Sequence, residues 1–103
     1  MITPAQVIAL DEVAEDLNEG RRFYRARETW LGDYFWDSMM SDMESLYVFA
    51  GIHELHFGYH RLLSKRFPYG LYYDIDGAIV RVVAVLPMRR NPAWTRARLK
   101  SRG

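Results

Sequence analysis

A chain of 103 residues can bury one hydrophobic core without disulfides or metals, which predicts a single domain over residues 1–103. The absence of cysteine excludes disulfides, thiolate metal sites and cysteine nucleophiles, and it suits the reducing cytoplasm, where we expect the protein to reside. Half of the residues are hydrophobic, which argues against disorder. No stretch approaches the roughly 18 apolar residues of a membrane span, so we expect no membrane partner.

The formal net charge of +1 hides a separation between the two halves of the chain. Residues 1–57 hold four arginines and eleven carboxylates, a net charge of −7. Residues 58–103 hold ten lysines and arginines and two aspartates, a net charge of +8. This asymmetry suggests a surface made for an anionic partner. Alternatively, the two halves neutralise each other where helices meet the sheet.

The first half of the chain predicts a short strand followed by a helical hairpin. The short, mostly apolar segment at residues 6–10 is interpreted as a strand. Asp11 can cap a helix over about residues 12–27, with carboxylates in its first turns. A short link leads to a second helix over about residues 32–49. The first helix repeats apolar or small residues at helical spacing: Val13, Ala14, Leu17, Gly20 and Tyr24.

The apolar stripe of the second helix is wider than one buried face requires. It contains Leu31, Phe35, Met39, Met43 and Leu46, and Trp36 and Met40 extend it. Methionines and aromatic residues at this spacing are typical of a core. The additional width also fits a second interpretation, in which a partner helix covers the flank.

Residues 50–58 contain two glycines and predict a connector. His53, His56 and His60 would share one face only if this segment were a continuous helix, which Gly51 and Gly58 make doubtful. The segment also lacks a full HExxH motif. We therefore expect solvated connector histidines rather than a metal site.

The second half predicts three strands. Residues 59–67 form the first of them, and Pro68 ends it. Asp76-Gly77 predicts the two-residue loop of a hairpin, with Ile75 opposite Ala78. The predicted pairs are Tyr73 with Val80, Leu71 with Val82, and Tyr69 with Ala84. One face then carries Tyr69, Leu71, Tyr73, Ile75, Val80, Val82, Ala84 and Leu86, and the other carries Gly70, Tyr72, Asp74, Arg81 and Val83.

The last predicted strand has apolar residues on both faces, so we place it centrally in the sheet. Pro87 ends this strand, and Asn91 can cap a short final helix with Pro92 in its first turn. That helix, from Pro92 to about Lys100, also carries Arg96 and Arg98.

This element order gives an α+β fold: a short strand, a helical hairpin, a largely antiparallel three-stranded sheet and a short C-terminal helix (β-α-α-β-β-β-α). The strings RFPYGLYYDIDG, IVRVVAVL and RRNPAW, between residues 66 and 94, resemble the RelE/ParE superfamily of type II toxin–antitoxin toxins. The resemblance is closest to the ParE-like, plasmid-stabilisation branch. It also includes LGDYFWD at residues 31–37 and the position of Tyr24, so it spans nearly the whole chain.

The resemblance implies a cytoplasmic growth inhibitor that a cognate antitoxin neutralises, without cofactor, metal or small-molecule ligand. The antitoxin segment would wrap along the helices and the sheet. The residues expected to bind the antitoxin are Phe35, Trp36, Met39, Met40, Met43, Tyr72 and Arg81.

The superfamily includes ribosome-dependent ribonucleases, which cleave messenger RNA, and toxins that inhibit DNA gyrase. The ribonuclease pattern has basic residues on the three later strands and a tyrosine six residues after the last of them. Matched without gaps, its positions fall on Arg61, Leu63, Gly70, Arg90 and Arg96. Only Arg61 and Arg90 fit, because Leu63 and Gly70 supply no charge and Arg96 replaces a tyrosine.

The resemblance therefore favours a toxin that binds DNA gyrase through Arg89, Arg90, Trp94, Arg96 and Arg98. The alternative is a metal-independent endoribonuclease acting on the ribosome and messenger RNA, with Arg61, Lys65, Arg66, Arg89 and Arg90 as catalytic residues. A third possibility is a degenerate toxin with no target.

Overall fold

The computed structural model describes residues 3–102. Its elements are β1 (Gln6–Ala9), α1 (Asp11–Arg25), α2 (Thr29–Glu44), α3 (Leu46–Phe49), β2 (Leu55–His56), β3 (Tyr59–Leu63), β4 (Tyr69–Asp76), β5 (Ile79–Pro87) and α4 (Pro92–Lys100). None of these helices is both long enough and apolar enough to cross a membrane. The predicted α+β fold is confirmed.

The helical hairpin forms because α1 and α2 each bury one stripe. α1 buries Val13, Leu17, Gly20 and Tyr24, and α2 buries Phe35 and Met39 among other residues. The helix bounds differ from prediction. Leu10, not Asp11, is the N-cap of α1, and no side chain caps it. The predicted second helix is divided at Ser45 into α2 and the one-turn α3.

Within residues 3–102, five strands form one sheet in the order β1-β5-β4-β3-β2. β1 runs parallel to β5, and every other neighbouring pair is antiparallel. β5 therefore lies between β1 and β4, as its two apolar faces predicted. The prediction missed β2, and it made β3 too long, since this strand ends at Leu63 rather than at residue 67.

The β4–β5 hairpin uses a different loop from the predicted one. Asp76 pairs with Ile79, so the loop residues are Gly77 and Ala78. Gly77 has φ +60°, whereas Ala78 is not among the positive-φ residues. Positive φ at the first position alone is typical of a type II′ turn, which places glycine there. The predicted pair of Tyr73 was therefore wrong by two residues, since Tyr73 faces Val82, and the predicted pairs of Leu71 and Tyr69 were wrong by three.

A β-bulge makes the predicted faces wrong beyond this point. The register shifts between Tyr72 and Tyr73, because Tyr72 pairs with Ala84 while Tyr73 pairs with Val82. Val83 is the additional residue, and it reverses the facing of the rest of β5. Val85 consequently joins the core beneath the helices, whereas Ala84 and Leu86 lie on the opposite face.

Each face of the sheet has its own hydrophobic cluster. The larger cluster lies between the sheet and the α1–α2 hairpin. The smaller one is covered by α4 through Leu99, which packs with Tyr72, Val83, Ala84 and Leu86. A buried ion pair fastens the chain just after α4, since Arg102 binds both oxygens of Asp16 on α1. The backbone N–H of Val85 also donates to Asp16, at 2.9 Å.

Candidate binding surface

Trp94 is held at the first turn of α4 by the residues before it. The side-chain oxygen of Asn91 accepts a 2.8 Å hydrogen bond from the backbone N–H of Trp94, and Pro92 is in the first turn. This is the predicted cap. With Leu99 and Arg102 fastening the other end, α4 has a fixed orientation on the sheet. Trp94 is half-buried, so one part of its ring remains available to a partner.

Two arginines stack on Trp94. The guanidinium carbons of Arg90 and Arg98 each lie 4.7 Å from the Trp94 ring centroid. Positions four residues apart share one side of a helix, which brings Arg98 over the ring. Each such contact contributes about 0.5–1 kcal/mol at an exposed site and restrains a flexible side chain. The structure thus brings together three of the predicted target-binding residues.

A second stack adjoins the first through Arg89. Its guanidinium carbon lies 4.6 Å from the ring centroid of Phe23, and that of Arg27 lies 4.8 Å from the same ring. Burial raises the pKa of Tyr69, and the nearby guanidinium of Arg89 opposes that rise. Burial also raises the pKa of Tyr24, against the attraction of Arg89 and Arg27. Arg89 therefore lies between an exposed ring and two partly desolvated hydroxyls.

We name Phe23, Arg27, Arg89, Arg90, Trp94 and Arg98 the cation–aromatic surface. None of its four arginines lies within 4.0 Å of a carboxylate in residues 3–102, where the four ion pairs involve other residues. A stacked guanidinium keeps N–H donors at its edge, and these match carboxylate or phosphate oxygens. The surface is therefore suited to bind an anionic partner.

Sequence reasoning missed Phe23 and Arg27 in this surface. They are four residues apart near the end of α1, a spacing at which side chains meet on a helix. That spacing was a usable signal, but nothing in the sequence placed the end of α1 beside Arg89. The contact arises only because the α1 end and the β5 end lie together in the folded domain.

Arg96 lies apart from the cation–aromatic surface. It is two positions from Trp94, about 200° around the helix, so it faces the opposite side. There its guanidinium carbon lies 5.3 Å from the ring centroid of Phe57. Phe57 has φ +58° and precedes Gly58 at φ +87° in the two-residue loop between β2 and β3. A bulky residue in this left-handed conformation is strained by about 1–3 kcal/mol.

The residues predicted to be catalytic are divided between two places. Arg61, Lys65 and Arg66 line a cavity of about 720 Å³ beside β3, together with His53 and Glu54 among others. Arg89 and Arg90 do not line this cavity, because they belong to the cation–aromatic surface. Cγ and Cδ of Arg61 also lie over Gly70 beside Sδ of Met88, next to the segment that leads to Arg89 and Arg90.

The residues predicted to bind an antitoxin are similarly dispersed. Phe35, Met39 and Tyr72 are almost completely buried, so their side chains offer no surface to a partner. Trp36, Met40 and Met43 on α2 are half-buried and pack against the core. Arg81 is held by Asp74 through hydrogen bonds of 3.1 and 2.6 Å, and this pairing raises the pKa of Arg81.

The connector histidines belong to a hydrogen-bond network, so the expectation that they are solvated was wrong for His53 and His60. The hydroxyl of Tyr73 accepts a hydrogen bond from the N–H of Gly51 and lies 2.5 Å from Nδ1 of His53. Nδ1 of His60 donates to the carbonyl of His53, and its ring stacks on Tyr73. Burial, with a smaller contribution from His60, lowers the pKa of His53.

Within residues 3–102, no group of three histidine or carboxylate residues could hold a metal ion. No protein-family model matches the sequence, and no curated protein is significantly similar to it. A solved structure titled "Chromosomal ParDE TA system from P. aeruginosa" contains a chain that superimposes on this one with a TM-score of 0.74. The two chains are 13% identical, and the match covers 82% of this chain and 96% of the other. The protein therefore has the fold of a chain from a ParDE system, the fold that the resemblance to the RelE/ParE superfamily predicted.

Proposed function

We propose that this chain is the toxin of a type II toxin–antitoxin system and that a cognate antitoxin holds it inactive. Two observations support the proposal. The residue strings between positions 66 and 94 resemble ParE-like toxins, and the fold matches a chain from a ParDE system over 82% of the sequence. We further propose that the antitoxin covers α2 at Trp36, Met40 and Met43, which are apolar and only half-buried.

We propose that the toxin acts by binding DNA gyrase rather than by hydrolysis. The observation that carries this proposal is the cation–aromatic surface. Its arginines are stacked on Phe23 and Trp94 and have no carboxylate partner within residues 3–102. Arginine and tryptophan are the residues that most often dominate binding energy at protein interfaces. A ribonuclease would need its cations free to surround one phosphate, whereas Arg61 lines the cavity beside β3 and Arg90 is stacked on Trp94.

The target is tested with purified gyrase and relaxed plasmid. We expect the chain to inhibit supercoiling, and Trp94→Ala or Arg98→Ala to require at least about tenfold more protein, equivalent to about 1.4 kcal/mol. Arg22→Ala is the matched control, because Arg22 is also a cation in the last turn of a helix but lies outside the cation–aromatic surface. Full supercoiling at a molar excess of the chain would refute gyrase as the target.

The ribonuclease alternative is tested in parallel in a translating extract. Messenger RNA should remain intact in the presence of the chain, and cleavage that Arg90→Ala abolishes would favour the alternative instead. The antitoxin part of the proposal is tested by growth. Expression of the chain should arrest growth, and co-expression of the adjacent short reading frame should restore it; continued growth with the chain alone would refute the toxin assignment.

A further inference from the structure

The tight turn between β2 and β3 contains a residue that this kind of turn disfavours. Phe57 and Gly58 have φ +58° and +87°, and the flanking residues His56 and Tyr59 pair with each other. Positive φ at both central positions is typical of a type I′ turn, in which asparagine or aspartate usually precedes glycine. Phenylalanine strains this turn, and strained residues cluster at sites that bind ligands. The surroundings of the Phe57 ring therefore need an explanation beyond the turn itself.

The ring of Phe57 lines a cavity of about 380 Å³ between this turn and α4. Tyr59, which is half-buried, and Leu99, which is fully buried, line it as well. Phe57 is 36% exposed, so part of its ring is open to a ligand. Ligand pockets usually measure about 300–1,000 Å³, and this one is near the lower limit. It is large enough for one planar ring system that carries a short polar group.

Among the described residues, two cations and no carboxylate line this cavity. Arg96 and Lys100 are four residues apart on α4, so they lie on the same side of the helix. Neither is ion-paired within residues 3–102. The guanidinium carbon of Arg96 lies 5.3 Å from the ring centroid of Phe57, which brings N–H donors to the aromatic wall. The cavity beside β3 differs, because its lining includes Asp42 and Glu54.

The end of α4 does not oppose a bound anion through free backbone acceptors of its last turn. The carbonyls of Ala97 and Leu99 accept hydrogen bonds from the N–H groups of Ser101 and Arg102. The carbonyl of Arg98 accepts one from the hydroxyl of Ser101, at 2.7 Å. These three oxygens already have donors, so the positive charge of the two cations determines which ligands the cavity attracts.

We propose that this cavity binds a nucleotide, with its base stacked on Phe57 and its phosphate held by Arg96 and Lys100. Bases stack on aromatic side chains whatever their sequence, because every base has a π-face. A phosphate monoester carries nearly two negative charges at neutral pH and so matches two cations better than a single carboxylate does. This chemistry has two sources, a free nucleoside monophosphate and the phosphorylated end of a nucleic acid strand. The proposed function does not use the cavity.

Isothermal titration calorimetry with adenosine monophosphate tests the proposal. The dissociation constant should be below about 1 mM. Adenosine, which lacks the phosphate, and ribose phosphate, which lacks the base, should each bind at least about tenfold more weakly. A tetra-adenylate with a terminal phosphate distinguishes the two sources. Binding as tight as that of the monophosphate identifies strand ends, weaker binding identifies the free nucleotide, and both results support a nucleotide site.

The variant Phe57→Asn separates binding from folding. It should weaken binding of the monophosphate at least about fivefold, because the stacking is lost, while the protein becomes more stable to urea, because asparagine suits the turn. A ring that served packing alone would give the reverse, lower stability with unchanged binding. Arg96→Gln should weaken binding of the monophosphate by a similar factor and leave that of adenosine unchanged. Arg22→Gln is the matched control, because Arg22 lies on α1 outside the cavity lining.

Nuclear magnetic resonance locates the bound nucleotide. The amide signals of Tyr59 and Lys100 should shift on titration, whereas the indole signal of Trp94 should not. The proposal is overturned if the monophosphate fails to bind at millimolar concentration, if adenosine or ribose phosphate binds as tightly, if Arg96→Gln leaves binding unchanged, or if the signal of Trp94 shifts while that of Tyr59 does not. Gyrase is not present in this test, so its outcome is independent of the proposed function.

Discussion

Removal of the arginine that fastens the chain after α4 should destabilise the whole domain. In Arg102→Ala, the carboxylate of Asp16 stays buried and, among the residues that the structure describes, keeps one hydrogen bond, from the N–H of Val85. The side chains of Asp16 and Arg102 are 2% and 6% exposed, so water does not compensate in the native state. Breaking a buried pair by removing one partner costs about 3–5 kcal/mol. We expect about 3 kcal/mol, the lower end of this range, because Asp16 keeps its hydrogen bond from the N–H of Val85.

Urea denaturation followed by circular dichroism measures this loss. A loss of about 3 kcal/mol lowers the midpoint by about 1.5–2 M if the dependence on urea is near 1.5–2 kcal/mol per molar. Arg22→Ala is the control and should change the free energy of unfolding by less than about 0.5 kcal/mol. A double-mutant cycle with Asp16→Asn should give a coupling energy above about 1 kcal/mol. A loss below about 1 kcal/mol for Arg102→Ala, or a coupling of zero, would refute the reasoning.

Three further changes test other parts of the structure. Gly20→Ala should lower the free energy of unfolding, measured in urea, by about 1–2 kcal/mol. The new Cβ would lie 2.5 Å from Cε2 of the fully buried Phe35, and this overpacking costs more than the gain in helix propensity. A more stable variant would show that the core adapts to the added methyl group. Phe57→Asn should raise the urea midpoint by relieving about 1 kcal/mol of strain, and a lower midpoint would mean that the contact with Arg96 outweighs that strain. Because the pKa of His53 is lower in the folded protein than in the unfolded chain, the unfolded chain takes up a proton at a higher pH. The free energy of unfolding should therefore fall as the pH drops below 6.5. His53→Gln should flatten this pH dependence, and an unchanged slope would assign it to another group.

The predicted element order was confirmed because it depends on patterns that are local in the sequence. The helical spacing of apolar residues predicted α1 and α2, and Asn91 followed by Pro92 predicted the start of α4. The hairpin between β4 and β5 was also expected, yet its loop was not. Asp76-Gly77 and Gly77-Ala78 both satisfy the demand for a glycine at positive φ, and only the packing of the strands chooses between them.

The prediction assigned the second half of β5 to the wrong faces of the sheet because it did not include the bulge at Val83. Val83, Ala84 and Val85 are all small and apolar, so the sequence carries no polar residue that would reveal where the alternation reverses. The same limit applied to the candidate surface. Arg90, Trp94 and Arg98 were predicted together because they are close in sequence, whereas Phe23 joins them from a distant element. The burial of Tyr72 depends on the position of α4, which local patterns do not determine.

The parallel pairing of β1 with β5 has a consequence for how the protein is made. Val7 of β1 lies beside Val80 of β5, so β1 can pair only after a strand more than seventy residues later in the chain has been synthesised. Contacts between such distant positions form late, after a large loop closes. A ribosome that has released only the helical hairpin has produced neither the central strand nor the arginines that follow it. The arginines of the cation–aromatic surface that follow β5 are therefore added only after the central strand of the sheet has been synthesised.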